Sequence, residues 1–167
     1  MKKVENEFSD SRIFRTSGLL LRNSVLKIDN MRTNVQKTYG QSFMNNIRIC
    51  NELMALSWEA DKNDKETKLI YAYVARECFR KAETDLQLIV QAELFPGKSK
   101  ADKNGSKKVE SGCKQFKMGT PELYKDSGDL ITQIKGWISS LEIDFNADEL
   151  ETIKKRAQDL LICKYLV

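Results

Sequence analysis

TPELYKDSGDLITQIKGWISSL, residues 120–141, reads as one amphipathic helix with a defined start. Thr120 is suited to cap it, and Pro121 fits a first helical position, where its missing N–H costs nothing. Leu123, Ser127, Leu130, Ile134, Trp137 and Leu141 recur at three- and four-residue spacing, so they share one face. A helix with a single apolar face needs partner surfaces. The rest of the chain supplies them in the same form.

Upstream, a first helix is expected over about 19–37, with Leu21, Val25, Ile28, Met31 and Val35 inward. Thr38-Tyr39-Gly40 reads as a bend. A second helix follows over about 41–62, burying Phe43, Ile47, Cys50, Met54 and Ser57. Asn63-Asp64 is a short connection, which makes the second and third helices antiparallel neighbours. The third helix covers about 64–95 on a stripe of Tyr71, Ala75, Cys78, Phe79, Ala82, Leu86 and Ile89. Phe95-Pro96-Gly97 ends it. Asn146-Ala147-Asp148-Glu149 resembles a capping box and opens a fifth helix with Leu150, Ile153, Ala157, Leu160 and Leu161 inward. Alternating strand patterns of useful length do not occur. The expected fold is all-α: a four-helix bundle with an added C-terminal helix. Its divisions are a polar segment at 1–18, an arm or a short leading helix, the bundle at 19–141 with a lysine-rich loop at 96–119, and the last helix at 142–167.

With 167 residues the chain is long enough for one core without disulfides. No apolar run is long enough to span a bilayer and no signal peptide is read, so the expected location is cytoplasmic, with no membrane partner. Cys50, Cys78, Cys113 and Cys163 form no CxxC pair and are expected as reduced thiols, Cys50 and Cys78 packing as small apolar residues. The chain has no histidine. That excludes histidine-based metal sites and nucleophile–histidine couples. No HExxH and no phosphate-cradling glycine loop is present. The reading is a non-enzyme with no catalytic residues, no metal and no cofactor.

The net charge of +4 is unevenly spread. Arg22, Lys27, Arg32 and Lys37 stand against Asp29 alone over 19–40. Over 96–119, Lys98, Lys100, Lys103, Lys107, Lys108, Lys114 and Lys117 stand against Asp102 and Glu110. The segment 142–167 is acidic. Segregation of this kind makes a directional field. Lysines on a loop suit sequence-independent phosphate contacts, RNA or DNA, although a merely solubilising loop has the same composition. Arg32 falls inside the apolar stripe of the first helix, so it either snorkels or points into an interface. Tyr73, Arg76 and Arg80 are expected on the outward face of the third helix, where an aromatic ring and two arginines can hold nucleic acid; the alternative is an ordinary solvated face, with Glu77 and Glu83 close by. Ile70, Val74 and Leu88 form a second apolar strip on that helix. The fifth helix or another copy of the chain can cover it, and self-association is the reading adopted.

Three stretches resemble the accessory variability determinant proteins of diversity-generating retroelements and the related four-helix proteins encoded in ribosomal-RNA intervening sequences. KTYGQSFMNNI, residues 37–47, is similar to that family's join between helices one and two. LSWEADK, residues 56–62, is similar to its helix-two ending. The third is 130–140, with Gly136-Trp137, similar to its last-helix signature. The resemblance covers about 19–141. Gln36, Lys37 and Thr38 stand where the family has a proline, and Ile131 stands near the place of an extra glycine. The lysine-rich stretch is longer than the family's connection. The resemblance implies a non-enzymatic helical bundle, assembled as a basic homopentamer. It further implies binding to template RNA, and to cDNA, and association with a reverse transcriptase during mutagenic reverse transcription. The alternative is a protein-interaction or ribosome-associated module with no role in reverse transcription.

Overall fold

The computed structural model of the chain describes residues 7–28, 36–94 and 106–165, side chains at 26, 28, 92–94 and 106–122 excepted. The described residues hold five α-helices and no strand: α1 (Arg12–Ile28), α2 (Gln41–Glu59), α3 (Lys65–Leu94), α4 (Ser106–Glu142) and α5 (Ala147–Lys164). A 3-10 turn at Phe8–Asp10 precedes α1, and a π turn at Gln36–Gly40 leads into α2. None of these helices is long and apolar enough to cross a membrane.

Helix starts follow from their caps. The Ser11 hydroxyl accepts the Phe14 amide at 3.1 Å and starts α1. Asp64 starts α3, accepting the Thr67 amide at 3.1 Å and the Thr67 hydroxyl at 2.7 Å. Asn146 accepts the Glu149 amide at 2.9 Å and donates to Glu149 Oε1 at 2.7 Å, a reciprocal cap on α5 at the position expected from sequence. The hydroxyl and amide of Thr67 hold the Asp64 carboxyl below its ordinary value of 3.8. Its folded value is therefore the lower one. The stabilisation is complete above the unfolded value and disappears as pH falls through the folded one. Asp64→Asn keeps the cap without titrating, so its melting temperature should fall less steeply than wild type below about pH 4. Circular-dichroism melts across the acid range read this out.

Packing pairs are fixed by side-chain bonds. Antiparallel α2 and α3 meet at Ser57 with Lys68 and at Ser42 and Asn46 with Asp85. Antiparallel α1 and α2 meet at Ser17 with Asn51. Asn23 on α1 donates to Asp126 on α4. On the far side, α5 runs parallel to α3, from the Arg156–Glu66 ion pair to the Lys81 bond with the Tyr165 carbonyl at 3.2 Å.

The expected α2 stripe is buried in full, as are Ala75, Cys78, Phe79, Ala82, Leu86 and Ile89 of α3. Three boundaries differ from expectation. Helix α1 begins at Arg12, inside the stretch read as an arm or a short leading helix, and Phe8 and Ile13 are buried. Its core face is Ile13, Ser17, Leu20 and Ser24; Leu21 is half-buried and Val25 exposed, while Ile28, Met31 and Val35 lie outside the described side chains. The buried serines bond helix carbonyls, Ser24 to Leu20 at 2.5 Å and Ser17 to Phe14 at 3.0 Å, so they enter the core satisfied. The bend expected at Thr38–Gly40 is instead helical, with Gly40 at φ −63°, ψ −46°. Finally, α4 begins at Ser106, so the helix takes in the second half of the lysine-rich stretch and Pro121 is interior to it. Lysine, glutamate, glutamine and methionine are competent helix formers even without an apolar stripe.

The two stretches carrying the family resemblance at Trp58 and Trp137 meet in space. Their indoles stack with centroids 5.1 Å apart, and Phe8 leans on Trp58 at 6.2 Å. Trp137 Nε1 donates to the Ser57 hydroxyl at 2.9 Å, which donates to the Lys68 carbonyl at 2.6 Å. The ammonium of Lys68, a residue 7% exposed, donates to the carbonyls of Ser57 and Trp58 at 3.1 and 3.0 Å. It thus satisfies carbonyls at the C-terminal end of α2, where the helix dipole favours a cation. Burial lowers its pKa.

Candidate nucleic-acid interface

Helix α1 carries Arg12, Arg15, Arg22 and Lys27 and no carboxylate. Its rotation is fixed on one flank by the Ser17–Asn51 bond, at 2.8 Å, and on the other by the Asn23–Asp126 bond, at 3.0 Å. At about 100° per residue, Arg12, Arg15, Leu19 and Arg22 then fall on the outer side, away from Ile13, Ser17, Leu20 and Ser24. Arg12, Arg15 and Arg22 are exposed, and Lys27 is half-buried. The three guanidiniums span about 15 Å of helix axis. Arg15 donates to the Asp10 carbonyl at 3.0 Å, which orients it without neutralising it. Among the described residues no ion pair engages any of the four.

Beside this face, α1 and α4 enclose a groove of about 440 Å³ lined by Arg12, Arg15, Thr16, Asp129, Thr132 and Gln133. Gln133 Oε1 is buried there without a partner among the described residues. Guanidinium, hydroxyl and amide groups are the donors that phosphate and sugar contacts use. Asp129 is the acidic residue of the lining; Asp126, one turn earlier, is occupied by Asn23.

The remaining sequence candidates divide. Lys37 is exposed. Arg32, Lys98, Lys100 and Lys103, and the side chains of Lys107 and Lys108, lie outside the described residues. Of the expected outward cluster, Arg80 is exposed as read, while Tyr73 and Arg76 are corrected. Tyr73 is 3% exposed and its hydroxyl donates to Glu142 Oε1 at 2.6 Å, so no base can stack on it. Burial, then Glu142, pushes the phenol pKa well up. Arg76 is half-buried under α5, and Arg80 is paired with Glu77 at 2.6 Å. Of the expected interface strip, Val74 is corrected and is covered by α5, the alternative that the sequence offered. Val74 is completely buried within the chain, in a cleft whose other wall is Ala157 and Leu161 of α5. Ile70 is half-buried and Leu88 exposed.

Arg12 and Arg15 were not among the sequence candidates, because 1–18 reads as an arm or a short leading helix. Ser11 as a cap and the spacing of Ile13, Ser17 and Leu20 carry the missing signal. Cys50 and Cys78 are buried thiols whose pKa values burial pushes up, so they are poor nucleophiles. Among the described residues no group of three or more acidic or cysteine side chains is placed to hold a metal.

No protein-family model, no curated protein and no solved structure matches this chain.

Proposed function

We propose that this protein is a non-enzymatic, cytoplasmic accessory factor of a diversity-generating retroelement. It holds template RNA, and cDNA copied from it, against α1 and associates with the reverse transcriptase. The observation that carries the nucleic-acid part is the carboxylate-free helix α1, with Arg12, Arg15 and Arg22 exposed and unpaired. The resemblance at 37–47, 56–62 and 130–140 carries the retroelement part. The scaffold is a four-helix bundle, α1 to α4, with α5 added. Supporting it are the packing of α1 on α2 and α4 and of α3 on α2, α4 and α5. Homopentamer assembly, the family's expectation, would use a surface other than Val74.

The test is binding of a labelled single-stranded RNA by fluorescence anisotropy from 50 to 200 mM salt. Three or four phosphate contacts give a slope of log K on log salt of about −2 to −3, a loss of roughly 20- to 60-fold across that range. A slope near zero would remove the electrostatic reading. A second reading has one observation in its favour. Phe14 and Val25 are each 40% exposed on the other edge of α1, a surface suited to a protein partner. Salt-insensitive capture of a protein partner without RNA retention would favour that interaction module.

A further inference from the structure

We propose that the cleft between α3 and α5 binds a small organic anion, its charged head between Arg76 and Lys154 and its apolar body on Val74, Ala157 and Leu161. The site is separate from the α1 surface and does not rest on the RNA reading. The cleft measures about 180 Å³. Its floor is buried: the Tyr73 ring, Val74, Ala157 and Leu161. Its rim is polar: Arg76 and Glu77 from α3, Lys154 and Gln158 from α5.

The charges at this rim are unbalanced. The Arg76 guanidinium lies 5.0 Å from the centroid of the Tyr73 ring, and the Lys154 ammonium lies 5.9 Å from the same centroid. Two cations thus share one aromatic ring. The nearby carboxylates are engaged elsewhere: Glu77 holds Arg80 at 2.6 Å, and Glu142 accepts the Tyr73 hydroxyl at 2.6 Å. Neither Arg76 nor Lys154 has an ion pair among the described residues. Arg76 Nε is fully buried with no hydrogen-bond partner. A buried donor without an acceptor is costly, and each cation raises the cost of the other.

One ligand class suits this cleft. A carboxylate or phosphomonoester head matches the planar guanidinium fork of Arg76. It also neutralises Lys154. A single water takes a share of about 30 Å³ in the liquid, so this volume exceeds one water. A lone inorganic anion would leave the apolar floor wet. An acid with one aromatic ring fills both parts.

The experiment titrates the full-length, isotopically labelled chain with benzoate, phenyl phosphate, inorganic phosphate and benzyl alcohol, following amide shifts. Benzoate or phenyl phosphate should saturate with a Kd of about 1 mM or tighter, moving amides of 73–77 and 154–161. Which of the two binds more tightly identifies the head group. Inorganic phosphate and benzyl alcohol should each bind at least about tenfold more weakly, lacking the body or the charge. Arg76→Gln should weaken the organic anion by about tenfold or more. Lys154→Gln, at an exposed position, tests the same site without threatening the fold and should weaken it several-fold. No saturable binding, equal binding of inorganic phosphate and benzoate, shifts confined to other segments, or full affinity in both variants would each overturn the proposal.

Discussion

Converting Arg12, Arg15 and Arg22 together to glutamate should abolish RNA binding while leaving the helical fold intact. Each phosphate contact to a single strand contributes about 0.7 log units per decade of salt, so three contacts are worth roughly a hundredfold in 0.1 M salt. Reversal adds repulsion to that loss. The fold should tolerate the change because all three side chains are exposed on the outer face of α1. Arg12 and Arg15 also lie near the helix start, where a carboxylate is favoured by the dipole. Arg48→Glu is the matched control, since Arg48 is exposed but already paired with Glu52 at 2.5 Å. Anisotropy at fixed salt, beside circular dichroism of each variant, measures both effects. Retained affinity in the triple variant would show that RNA binds elsewhere.

The largest stability loss is expected from Trp137→Ala, about 3 kcal/mol or more. The substitution removes the stack on Trp58 and leaves a void between α2 and α4. It also takes the donor away from the Ser57 hydroxyl, which continues to serve the Lys68 carbonyl. Trp137→Phe separates the contributions. It keeps a smaller ring against Trp58 and loses the N–H bond with part of the stack, so about 1–2 kcal/mol should go. Urea unfolding reads the difference as a lowered midpoint at unchanged slope. Against the 5–15 kcal/mol typical of a whole domain, the alanine variant would lose a large share of its stability. If it proved as stable as the phenylalanine variant, the indole stack would be incidental. Trp137, half of the Gly136-Trp137 pair, is thus explained by packing, whereas Gly136 is exposed with open space around it.

How legible the chain is depends on what fills each buried stripe. The α2 face of Phe43, Ile47, Cys50, Met54 and Ser57 is nearly all apolar, so its phase is unambiguous. The α3 start is punctuated by Asp64 and falls where expected, while Pro96-Gly97 lies outside the described residues. Helix α1 is different. Half of its core face is serine, and Leu19-Leu20-Leu21 offers three phases for a hydrophobic stripe. A phase set on Leu21 and Val25 leaves Arg12 and Arg15 unread. On α3, apolar residues on two sides announce two covered faces, but sequence does not say whether α5 or a second chain covers the second. Tyr73 and Arg76 therefore read as outward and Val74 as a self-association strip, although α5 lies over all three. In 106–119 the reason is different: a helix of competent formers with no apolar period has the same sequence pattern as a loop.

Burial at the seam between α2 and α3 also sorts the sulfur chemistry of the chain. Cys50 and Cys78 are enclosed and held protonated, whereas Cys163 is open to solvent. Oxidants and alkylating agents in the surroundings would meet Cys163 first among these three. The inner two would become reactive only when the seam itself parts.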